Sequence, residues 1–115
     1  MSRLMSVSYT SEAVRARTKT VTRRKGWLFL NVGDRLTLCE KVMGRKAGEP
    51  LVRITEVEVI SVHREPLSSI DELDVRREGF LRQTPRDFVR FFVHHMGGSP
   101  DQLVTRIEWR YLDGA

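Results

Sequence analysis

Six cations crowd into the eleven residues from Arg15 to Lys25: Arg15, Arg17, Lys19, Arg23, Arg24 and Lys25. Guanidinium and ammonium groups at that density attract phosphate by steering and counterion release, so the first chemistry they suggest is nucleic-acid binding. The chain has sixteen Arg and four Lys, a bias toward recognition, because an Arg fork matches phosphate oxygens and base edges. Trp27 and Phe29 follow the run. Rings beside Arg can stack on a base, with packing in the core as the competing use.

Other reactive side chains are poorly placed. His94 and His95 are adjacent, so on a helix they point about 100° apart and share no chelating face; no metal site is expected. His63 ends a strand-like run with no partner visible in the sequence. Cys39 is the sole cysteine, cannot form an internal disulfide, and reads as a small buried thiol in a reducing compartment. Trp109 and Tyr111 alternate with polar residues near the end of the chain and read as core or cleft wall.

The whole chain is 115 residues with 40% apolar and 30% charged residues, the composition of one globular domain over residues 1–115. That length excludes two-domain enzymes that cradle a cofactor between halves, and no glycine-rich phosphate loop is present, so no cofactor is expected. The net charge is +5, yet residues 1–25 alone carry seven basic residues and one acidic one. The positive charge is therefore a local patch. No apolar run approaches the ~20 residues of a membrane span, and the first residues lack a secretory pattern. A cytoplasmic protein, monomeric or weakly dimeric and away from membranes, is the expectation.

The elements that must position the cations follow from pattern. Thr10 or Ser11 can cap a helix of two turns through Arg15. Lys19 to Arg24, rich in β-branched residues, reads as a strand, and Asn31 to Asp34 as a turn. Arg35 to Lys41 alternates as a half-buried strand. Leu51 to His63 is the longest β-like run, and its apolar phase slips from Val52 and Ile54 to Val57 and Val59, which calls for a bulge near Thr55-Glu56. Pro66 to Gln83 shows no period and reads as a long loop. Thr84-Pro85-Arg86-Asp87 opens a capped helix with Phe88, Phe92 and Met96 on one stripe, closed by Gly97-Gly98. Leu103 to Leu112 is a terminal strand. This order predicts an α+β fold: a small mixed β-barrel of about five or six strands with two or three flanking helices.

The string Lys19-Thr20-Val21-Thr22-Arg23-Arg24, the Val32-Gly33-Asp34 turn and the closing Arg106-Ile107-Glu108-Trp109 strand resemble an ASCH domain over roughly residues 4 to 112. ASCH domains are similar to PUA domains. The resemblance implies a PUA-like barrel with a cleft beside the first helix, and recognition of RNA or nucleosides. Some small bacterial members are amidohydrolases that deacylate N4-acetylcytidine, with a Lys, a Thr three residues on, an Arg two further and a distant Glu; those positions match Lys19, Thr22, Arg24 and Glu78. Arg17 stands where many members have Gly, and Arg23 where the amidohydrolase group has an apolar residue. Both departures add phosphate-binding charge.

Two functions follow as expectations. The first is binding of RNA or single-stranded nucleic acid through Arg15, Arg17, Arg23, Arg24 and Lys25, with a base entering a pocket beside Trp27. The alternative is hydrolysis of a modified nucleoside of the N4-acylcytidine type. An amide is a poor electrophile, so hydrolysis needs an activated nucleophile and a proton for the leaving amine. In that scheme Lys19 activates the Thr22 hydroxyl while Glu78 orders the site and shuttles a proton. On a regular strand Lys19 and Thr22 face opposite sides, so the chain must bend near Thr20-Val21, or Lys19 must reach round from the strand's start, for them to act together.

Overall fold

The computed structural model describes residues 2–113; residues 1, 114 and 115 of the expected domain lie outside it. Five strands and three α-helices follow in the order β1 (Arg3–Ser6), α1 (Ser11–Arg15), β2 (Val21–Arg24), β3 (Arg35–Cys39), β4 (Arg53–Pro66), α2 (Glu72–Arg77), α3 (Pro85–Met96) and β5 (Leu103–Tyr111). The strands form one curled sheet in the order β1-β3-β4-β5-β2, so β1 and β2 are its two edges. The α+β fold expected from the pattern is what the chain builds, with the small mixed barrel taking the form of a five-stranded curled half-barrel. No helix among the described residues is long and apolar enough to cross a membrane.

The curl has a local cause. The β4 residue Ile54 is skipped where β3 pairing passes from Leu38↔Thr55 to Cys39↔Arg53. A second skip falls at Ile60, between Val59↔Trp109 and Ser61↔Glu108. Each extra residue flips the side-chain phase and sharpens the twist, which accounts for the phase slip in the sequence and lets one long strand serve both β3 and β5. One core fills the concave side with Met5, Leu36, Leu38, Val57, Val59, Ile107 and Trp109, closed by Val14 of α1. A second core, including Leu67, Val75, Phe88, Phe92 and Val104, lies under α2 and α3. Strand β5 feeds both, which is why Val104 to Ile107 are buried on both faces.

One element was not foreseen, and three local expectations need correction. Arg3–Ser6 is a strand, pairing parallel to β3; four residues are too few to show a period. The supposed loop from Pro66 to Gln83 contains the end of β4, a 3-10 turn at Leu67–Ser69 and α2. Asp71 caps α2 by accepting from the Asp74 N–H at 2.8 Å. The second strand starts at Val21, leaving Lys19 ahead of it. Thr10 sits at the start of α1 with no side-chain cap. Around Thr84 the capping box forms as the sequence predicts, with Pro85 at the first helical turn.

Candidate functional site

A cleft of about 400 Å³ opens between the edge strands β1 and β2 and under α3. Lys19, Thr22, Arg23, Arg24, Lys25, Trp27 and Glu78 all line it, with Phe80, Phe88, Phe91 and Phe92 supplying apolar wall. Strand β2 begins only at Val21, so Lys19 reaches the cleft from ahead of the strand's start. Lys19 lies in the turn before β2, its carbonyl gripped by Trp109 Nε1 at 3.2 Å and Tyr111 Oη at 2.5 Å. The next residue's N–H donates to the Arg77 carbonyl at 2.8 Å. This clamp takes Lys19 off the strand's alternation and aims it at the end of α2.

There Lys19 Nζ donates to the Glu78 carbonyl at 2.8 Å and to its carboxylate at 3.0 Å. Glu78 is placed by the turn that ends α2, where Gly79 has φ +105 and a Cβ would stand 2.8 Å from that of Ala13. Only glycine fits there. Lys19, Thr22 and Glu78 are each buried, at 2%, 3% and 3% exposure. Burial lowers the Lys19 amine below its ordinary pKa; the Glu78 charge opposes that, and Arg24 and Arg23 reinforce it. Arg24 Nε donates to Thr22 Oγ1 at 3.1 Å, and Arg24 Nη2 to the Ser6 carbonyl of β1 at 2.7 Å.

Arg23 is not a surface cation. It contacts Glu78 at 3.2 Å, Glu65 at 2.9 Å and Asp74 at 2.6 Å with a side chain only 1% exposed. Arg106 completes the cluster, gripping Asp74 at 2.7 and 3.1 Å. Burial raises the cost of the Asp74 charge, but the bonds from Arg106 and Arg23 outweigh it and hold the carboxyl well below its usual range. Arg23 Nε is buried with no partner among the described residues. The sequence offered no signal for this cluster, since Glu65 and Asp74 lie 42 and 51 residues from Arg23 and Arg106 a further 32 beyond Asp74, in segments with unrelated patterns.

The remaining predicted residues scatter. Arg15 pairs with Glu40 at 2.8 Å on the exposed surface. Arg17 pairs with Asp113 and lies 4.9 Å over the Tyr111 ring; its φ of 64° is one that glycine adopts freely. Neither residue lines the cleft. Lys25 Nζ donates to the Met96 carbonyl at the end of α3. Trp27, at φ 62°, turns its ring toward the cleft and sits 5.4 Å from Phe29, over which Arg3 stacks. His63 bonds Glu65 at 2.7 Å, His95 packs on Phe91 and Tyr9, and Cys39 is fully buried, its thiol pKa raised by burial.

No protein-family model matches this chain, and no curated protein does. Its fold is similar to the crystal structure of protein EF3133 from Enterococcus faecalis, described by the family model DUF984, with a TM-score of 0.72 and 14% identity over 97% of this chain and 80% of that one. At that identity the likeness concerns the fold.

Proposed function

We propose that this chain is a small amidohydrolase that removes the acyl group from an N4-acylated cytosine or cytidine. The observation that carries the reading is the convergence of Lys19, Thr22, Arg24 and Glu78, the four positions of the ASCH amidohydrolase pattern, in one aromatic cleft. A volume of about 400 Å³ suits a nucleoside better than a polymer.

In this scheme neutral Lys19 takes the proton of the Thr22 hydroxyl as Oγ1 attacks the acyl carbon. Arg24 Nε, already donating to Oγ1, favours negative charge there. As the C–N bond breaks, the Lys19 ammonium returns its proton to the leaving N4 amine. Water then attacks the Thr22 ester, losing a proton to the Lys19 amine, which returns it to Thr22 Oγ1 as the C–O bond breaks, so that the carboxylic acid is released and the hydroxyl restored. Glu78 holds Lys19 in place throughout and passes the proton of the released acid on to solvent. Trp27 and the phenylalanines supply flat apolar walls for the pyrimidine ring.

The nucleic-acid reading draws less support. Of its six cations Lys19 and Arg23 are buried, and Arg15 and Arg17 are occupied by carboxylates. Incubating the protein with N4-acetylcytidine and following cytidine release tests the proposal. Turnover by the wild type is expected, with a loss of about 100-fold or more in Lys19→Ala and Thr22→Val. A wild type that releases no cytidine overturns it.

A further inference from the structure

The cations of the cleft are unequally compensated. Lys19 and Arg23 share the carboxylate of Glu78, and Arg23 also holds Glu65 and Asp74. Arg24 has no carboxylate within ion-pair distance among the described residues; its bonds go to a threonine hydroxyl and a backbone carbonyl. Lys25, the residue that follows β2, likewise bonds only a carbonyl. Both line the cleft, where Glu78 is the one acidic residue. A guanidinium withdrawn from water beside apolar walls is costly unless an anion meets it. Arg24 Nη1 makes no hydrogen bond within the protein among the described residues and, unlike Arg23 Nε, is not sealed from the cleft. That leaves one donor of the Arg24 fork open to a ligand.

We infer that the ligand of this cleft is an anion: a planar ring carrying a carboxylate or phosphate that Arg24 and Lys25 receive. The inference rests on the proposed function for the ring, and deepens it by replacing a neutral nucleoside with a charged derivative. Two sources supply such a group. A nucleoside 5′-monophosphate carries it on the sugar, and a dicarboxylic acyl group carries it beyond the scissile amide. Both present oxyanions to a fork that binds them in the same way.

Calorimetric titration of the full chain with cytidine and with cytidine 5′-monophosphate, neither of which can be hydrolysed, tests the phosphate source. Comparison of KM for N4-acetylcytosine and N4-succinylcytosine tests the carboxylate source. One of the two pairs is expected to favour the anion by about tenfold or more, the order of a charge-assisted bond. That preference should fall with added salt and vanish in Arg24→Gln and in the surface variant Lys25→Gln, which keeps the fold testable if the first variant does not fold. Equal values in both pairs, or a preference that survives Lys25→Gln and high salt, overturns the inference. If cytidine 5′-monophosphate binds with the expected preference while N4-acetylcytidine is not hydrolysed, the anion site stands and the amidohydrolase reading falls.

Discussion

The role of Lys19 turns on its protonation. Its native amine has a lowered pKa, because burial penalises the charged form more than Glu78 rewards it. A base must be neutral to act, so kcat/KM should rise with pH through that lowered value and level off below the ordinary lysine range. A pH–rate profile checks this; a limb in the carboxylate range instead would assign the titration elsewhere and leave Lys19 a helix-end clamp for the Glu78 carbonyl. The neighbouring Asp74 has a different task. It is the counter-charge shared by Arg23 and Arg106, so Asp74→Asn leaves two buried guanidiniums short of a partner. Urea unfolding should show a loss of about 3 kcal/mol. Because Arg23 also holds Glu78, the same variant should shift the acid limb of the rate profile, which a loss of stability alone would leave in place.

At the scale of elements, the turn that ends α2 sets the site. Gly79→Ala must both hold a left-handed backbone and push against Ala13. A destabilisation of about 2 kcal/mol, read by thermal unfolding, is expected, with Glu78 displaced and any turnover lost beyond it. The long strands and the capped helix α3 were legible in the sequence because each carries a sustained period or a capping signature that needs no tertiary help. Strand β1 and helix α2 were not, being four and six residues long. They exist because β3 and the second core offer them partners. Lys19, Thr22 and Glu78 could be picked out as types and by resemblance. Their meeting depends on a clamp from Trp109 and Tyr111, some 90 residues away, as the sequence separations of those bonds show. Arg23 was misjudged for the same reason. Its charge looked free until Glu65, Asp74 and Glu78 closed around it.

For the molecule as a whole, a net charge of +5 overstates its reach toward polyanions. Only Arg24 and Lys25 of the six clustered cations lack a carboxylate partner among the described residues. Single-stranded RNA should therefore bind weakly, with a slope of log affinity against log salt of magnitude about 1.4, where six engaged cations would give about 4. Fluorescence anisotropy across a salt series measures it, and the steeper slope would mean that the surface ion pairs open on RNA. The seam spanned from Arg24 to the Ser6 carbonyl has one more effect. A sheet that stops short of closing leaves two edges, and bare edges recruit strands from other molecules. By occupying a β1 carbonyl with a charged side chain from β2, the protein removes one of the acceptors that an added strand would need at that edge.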